Sequence, residues 1–115
     1  MSEETIFSKI IRGDIPSDKV YEDDKVLAFN DISPMAKVHV LFIHKTTTKH
    51  VNQMVQEHPQ QLVDIYQAIA KYTQESGLDK SGFRVVTNMN KDAGQTVFHT
   101  HMHVLGGERL GTFGS

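Results

Sequence analysis

His99-Thr100-His101-Met102-His103-Val104-Leu105 sets three histidines at alternate positions and runs directly into Gly106-Gly107. In an extended strand alternate side chains share a face, so three imidazoles would project together at intervals of about 6 to 7 Å. We place a strand over residues 97–105, ended by the glycine pair. Imidazoles in such a row serve as metal ligands, as general acids or bases, or as a nucleophile that briefly carries the transferred group. A chain with 7 histidines in 115 residues also forms such rows by chance. On the row alone, a zinc site, a catalytic face and a coincidence of one buried and two solvated rings all stay open. His39, His44, His50 and His58 are scattered and read in the main as surface or packing residues.

The segment before the row, Asp92-Ala93-Gly94-Gln95-Thr96, offers a flexible backbone, an amide and a hydroxyl. Exposed N–H groups in such a turn can cradle an anion, and donors beside a nucleophile suit phosphoryl chemistry. Gly94 taken singly reads equally well as a plain turn glycine.

Working outward, Thr5 to Arg12 carries Ile6, Phe7, Ile10 and Ile11 at helical spacing, with Gly13 and Pro16 as the stop. Lys19 to Glu22 and Val26 to Phe29 flank a polar turn and read as a hairpin. Asp31-Ile32-Ser33-Pro34 breaks the second strand, and the apolar run Val38 to Ile43 fits a central strand covered on both faces. Gln60 to Ser76 is the clearest helix, with Leu62, Ile65, Tyr66, Ile69 and Tyr72 on one stripe and Gly77 at its end. Phe83 to Asn88 reads as the fourth strand. The order helix, three strands, helix, two strands, with short connections, predicts an α+β fold with antiparallel pairing.

The length of 115 residues suits a single domain over 1–115. Apolar residues make up 38% and the net charge is −2, so no basic nucleic-acid face is indicated. The lack of cysteine removes disulfides, thiolate zinc sites and a cysteine nucleophile together. Met1 to Thr5 lacks the basic and apolar regions of a secretion signal, and no apolar run reaches membrane-spanning length, so a cytoplasmic setting without membrane attachment is expected.

The histidine row resembles the signature of the histidine triad superfamily, in which each histidine is followed by an apolar residue. Ile6-Phe7-Ser8-Lys9-Ile10-Ile11-Arg12, Asp14-Ile15-Pro16, Phe29-Asn30-Asp31-Ile32-Ser33-Pro34, Gly94-Gln95 and Gly106-Gly107 follow in the order of its Hint branch, the nucleoside phosphoramidate hydrolases. The likeness runs from about residue 4 to residue 110, and Gly106-Gly107 favours Hint over the dinucleoside polyphosphate hydrolases.

The resemblance implies a five-stranded antiparallel sheet with two helices, paired into a homodimer whose sheets join across the interface. It implies hydrolysis of purine nucleoside phosphoramidates, of the adenosine phosphoramidate, AMP-lysine or aminoacyl-adenylate type, without metal or cofactor. His101 would be the nucleophile that becomes nucleotidylated; His99 and His103 would orient it and act around the phosphoryl oxygens and leaving group. Gln95 and Thr96 would be further donors, with Gly94 and Val97 beside them. Asp31 would accept the ribose hydroxyls, Asn88 would lie near phosphate or ribose, and Ile6, Phe7, Ile10, Phe29, Asn30 and Ile32 would line the base pocket. Apart from the resemblance, Ile6, Phe7 and Ile10 read as the core face of the first helix. A nucleotide-binding interaction module with incidental hydrolysis is the alternative from another class.

Three positions depart from the family pattern. Thr100 is polar where an apolar residue is usual, His44 stands where a proline usually follows the third strand, and Thr47 replaces a further histidine of some relatives. The tail after Gly107 diverges, in a region that tunes substrate choice in relatives.

Overall fold

Thr5 and Ser8 close a capping box in which each side chain accepts the other's backbone N–H, and this starts the helix α1 (Ile6–Arg12). Gly13, at φ 84°, ends it. The structure, a computed structural model, describes residues 4–112.

The strands β1 (Lys19–Glu22), β2 (Val26–Asn30), β3 (Val38–His44), β4 (Phe83–Val86) and β5 (His101–Gly106) form one antiparallel sheet in the order β1-β2-β3-β5-β4. The β1–β2 turn is fixed by Asp23, whose Oδ1 accepts the N–H groups of Lys25 and Val26, both at 2.7 Å. Side-chain alternation divides the core between the two sheet faces. Val26, Ala28, Val40, Phe42, Met102 and Val104 pack under Met54, Ile65, Ala68 and Ile69 of the helices α2 (Val51–Glu57) and α3 (Pro59–Ser76). On the other face Leu27, Phe29, Leu41 and Ile43 are covered by Phe7 and Ile10 of α1. A short helix α4 (Leu78–Ser81) and a 3₁₀ turn over Lys91–Ala93 complete the described elements. No helix among the described residues is long and apolar enough to cross a membrane.

Five expectations are corrected. The histidine strand begins at His101 rather than residue 97, because the Thr100 N–H donates to the Thr48 carbonyl at 2.8 Å instead of joining the β3 ladder. It also runs one residue further, through Gly106, where a Cβ would sit 2.8 Å from Leu78 Cδ1 and thus collide with α4. The fourth strand stops at Val86, and the next residue, Thr87, donates its hydroxyl to the His101 carbonyl at 2.8 Å. Two helices were expected, yet α2 and α4 are present as well. The start of α2 is marked by His50, whose Nδ1 accepts the Gln53 N–H at 3.2 Å, and histidine is outside the usual capping set. Along α3, Tyr66 faces solvent, while Ala68 packs in the core under the sheet and Thr73 is buried with its hydroxyl on the Ala70 carbonyl at 3.1 Å.

The sheet's α3 face depends most on Phe42, fully buried with its ring 5.8 Å from that of Tyr72. Phe42→Ala should cost about 3 to 5 kcal/mol of stability in urea denaturation. Val55→Ala, at a half-exposed position, should stay within about 0.5 kcal/mol of the parent.

Candidate active site

The pairing of β5 with β3 sets His101 opposite Ile43 and His103 opposite Leu41, so both imidazoles lie on the sheet face that α1 covers. Phe7 meets His101 edge-on, with ring centroids 5.0 Å apart at 85°. His99, just before the strand, lies behind this pair, 1% exposed and with its ring 6.0 Å from Phe7.

The hydrogen bonds settle which ring nitrogens carry protons, because a carbonyl can only accept. His101 Nδ1 lies 2.8 Å from the His99 carbonyl, so Nδ1–H donates and the neutral ring keeps its lone pair on Nε2. By the same logic His99 Nε2–H donates to the His44 carbonyl at 2.9 Å, while its Nδ1 is buried without a hydrogen-bond partner. His39 Nδ1 accepts the Met35 N–H at 3.0 Å, which puts the His39 proton on Nε2. That Nε2–H donates to His103 Nδ1 at 2.8 Å, with Asp31 Oδ2 at 3.5 Å, and leaves neutral His103 protonated at Nε2. One imidazole thus presents a lone pair and its neighbour, 5.0 Å away between centroids, a proton.

Burial pushes all three row histidines below the ordinary imidazole value. For His101 it outweighs the hydrogen bond to the His99 carbonyl and the attraction of Asp31. His103 is pushed down to about 4, by burial first and then by His101 and His39. His99 falls chiefly through burial. The row is therefore neutral near pH 7, as a nucleophile requires.

A cavity of about 590 Å³ opens beside His101 and His103. Ile6, Phe7, Ile10, Phe29 and Ile32 give it apolar walls, and Asn30, Asp31, Thr96 and Val97 lie along its rim and floor. Ile15, Pro16, Ser17, Asp18 and Leu41 line it too and were not singled out from sequence. Asp31 anchors Oδ1 on the Ser33 N–H at 2.8 Å, an Asx turn that follows from the Asp-x-Ser-Pro sequence.

Four expected site residues lie elsewhere. His99 is behind the cavity wall, and Asn88 lines a neighbouring cavity of about 310 Å³ together with Met35, His39 and His103. Gly94 caps the 3₁₀ turn at φ 82°. Gln95 is buried, and its amide holds the loop by donating to the Lys49 and Val97 carbonyls and accepting the Asn90 N–H.

His39 and His44 are not incidental histidines: both are buried and both bind the machinery around the row. Strand parity was the available signal for His39, since positions 39, 41 and 43 share a face. The polar Thr100 is also accounted for, its hydroxyl lying 2.7 Å from that of Thr48.

Among the described residues the donor set compact enough for a metal is Asp31, His39 and His103, with atoms within 4.8 Å, rather than the row itself. A histidine ligand normally donates its second N–H outward. His39 has the opposite polarity, since its second nitrogen accepts from Met35. The cluster is organised as a hydrogen-bonded relay.

Residues 12–110 match the HIT domain. The chain belongs to the HIT family. It is 50% identical over 111 residues to the purine nucleoside phosphoramidase of Escherichia coli K12, an alignment covering 96% of this chain and 93% of that one. A histidine triad protein from Clostridium difficile superposes with a TM-score of 0.92 at 41% identity, covering 98% and 99% of the two chains. A HIT family hydrolase from Clostridium thermocellum gives 0.90 at 42% identity over 97% of each. This HIT protein is of the Hint type, in line with the Gly106-Gly107 pair after its histidines.

Because the folded-state values of the row histidines lie below the unfolded one, their neutral burial stabilises the HIT fold fully above about pH 6.5, and that contribution declines as pH falls toward about 4 for His103. The urea midpoint should drop between pH 7.5 and 5.5, and His103→Gln should flatten the drop. A midpoint independent of pH in the parent would contradict neutral burial.

Proposed function

We propose that this HIT protein hydrolyses purine nucleoside phosphoramidates, with His101 as nucleophile. One observation carries the reading: a neutral imidazole held by its Nδ1–H on the His99 carbonyl, with the Nε2 lone pair free, at the wall of a cavity that also presents Asp31. The relationship to the Escherichia coli enzyme supports the substrate class.

His101 Nε2 attacks the α-phosphorus, the P–Nε2 bond forms, and the P–N bond to the amine breaks. His103 stays neutral, fixed as an Nε2–H donor by the 2.8 Å hydrogen bond that His39 Nε2–H makes to its Nδ1; that Nε2–H holds a water molecule, which gives the departing amine its proton and becomes hydroxide. The His99 carbonyl stabilises the N–H of the cationic nucleotidyl-imidazole. The hydroxide so formed attacks the phosphorus, the P–Nε2 bond breaks, and the nucleoside monophosphate leaves with His101 neutral again. In this assignment Asp31 accepts ribose hydroxyls, the apolar walls take the base, Thr96 and Val97 flank the phosphoryl group, and Asn88 approaches it from the neighbouring cavity. Gly94 and Gln95 contribute by shaping the loop. Adenosine phosphoramidate, AMP-lysine and aminoacyl-adenylates share the required nucleotidyl group and bear different leaving groups.

The proposal includes the whole chain 1–115 as one HIT domain working in the cytoplasm as a homodimer. The free edge of β4 and the half-exposed Phe83 support sheet-to-sheet joining. Sedimentation should give twice the 13.0 kDa chain mass, and a monomer at micromolar concentration would contradict the dimer.

Incubation with adenosine phosphoramidate should release AMP, and quenched reactions should carry a nucleotidyl adduct on His101. His101→Gly should lose at least about a thousandfold in kcat. Undiminished turnover in that variant would overturn the assignment.

A further inference from the structure

The structure assigns to His44 and Asp64, both outside the cavity, the positioning of His99 and through it of His101, an inference that rests on the hydrolase reading above. His44 is the last residue of β3, and its ring is held at both nitrogens: Nδ1 accepts the Thr46 N–H at 3.1 Å, and Nε2–H donates to Asp64 Oδ2 at 3.0 Å. The Asp64 carboxylate, on α3, also accepts Gln60 Nε2–H at 3.1 Å and has Lys25 Nζ at 4.0 Å. Both side chains are over nine-tenths buried. Burial alone would raise the Asp64 carboxyl, but the His44 and Gln60 hydrogen bonds together with the nearby Lys25 charge hold it below the usual carboxylate range.

The main-chain carbonyl of the same His44 accepts His99 Nε2–H at 2.9 Å, and the His99 carbonyl accepts His101 Nδ1–H at 2.8 Å. A continuous path therefore runs from a carboxylate on α3 to the nucleophilic ring. The path matters because His99 precedes β5 and no ladder hydrogen bond holds it. It is held instead by the last residue of β3 and the strap of residues 45–49 that follows, which take His99 on the His44 carbonyl, Thr100 on the Thr48 carbonyl and Gln95 on the Lys49 carbonyl. The Lys45 N–H on the Lys25 carbonyl at 2.8 Å is the strap's last tie to the sheet. Beyond it, the clamped His44 ring fixes the turn through Thr46. A proline, usual at this place in the family, would fix the same turn covalently through φ. Here a buried ring and carboxylate do so by hydrogen bonding.

The test compares kinetics with a readout that needs no turnover. In Asp64→Ala, kcat on adenosine phosphoramidate should fall about ten- to a hundredfold, as misorientation of a reacting group does. AMP affinity should change less than about twofold, because the cavity walls are untouched. Asp64→Asn, which keeps an acceptor for His44 Nε2–H, should restore kcat, and Val55→Ala, at a half-exposed position of α2, should leave it at the parent value. In the ligand-free protein the slowly exchanging imidazole proton resonances of His99 and His101 should shift or vanish in Asp64→Ala and return in Asp64→Asn. If Asp64→Ala does not fold, His44→Pro combined with Asp64→Ala replaces it, and parent-like kcat is then expected. A folded Asp64→Ala with parent kcat and unchanged resonances would overturn the positioning role. An inactive parent protein would overturn the hydrolase reading instead, while the resonances would still decide the positioning.

Discussion

The register between β3 and β5 is the constraint on which the site depends. Because Ile43 faces His101, Leu41 faces His103 and His39 faces Leu105, the sheet gathers three imidazoles from two strands on the face under α1. A slip of one residue would send His101 and His103 into the α3 core, where Met102 and Val104 now lie. The register is in turn secured by both sheet faces, since Val40, Phe42 and Ile43 of β3 are completely buried. The chemistry and the hydrophobic core are specified by the same alternation.

Within that frame, proton positions follow from main-chain groups. The Met35 N–H determines the His39 tautomer, His39 determines that of His103, and the His99 carbonyl determines that of His101. Peptide groups have no tautomers and do not titrate in the working range, so they hold one imidazole as acceptor and its neighbour as donor without an added charge.

Much of the architecture was legible in sequence because it is written in local patterns: the short apolar runs of β2 and β3, the apolar face of α1 with its glycine stop, the Asp-x-Ser-Pro turn that aims Asp31. What was not legible depends on distant pairings. His39 gives no local sign of its role until β3 is known to lie beside β5. His99 belongs to the histidine row by spacing yet leaves the strand, because Thr48, far upstream, captures the Thr100 N–H. α2 is short and capped by a histidine, and Gln95 is drawn inward by the Lys49 and Val97 carbonyls. His44 reads as a departure from the family until its partner on α3 is seen.

The two faces of the sheet are covered unequally. Two main helices close one face, whereas the other has seven residues of α1, and Phe7 serves both as core residue and as cavity wall. The opening of about 590 Å³ lies where further apolar packing would be expected. A flat ring system of the proposed substrate would pack there against Phe7 and Phe29, and any ligand that binds the folded form alone links occupancy to folding. Because Phe7 and Ile10 belong to both the cavity wall and this core, α1 is the element whose unfolding a ligand bound there would most directly oppose.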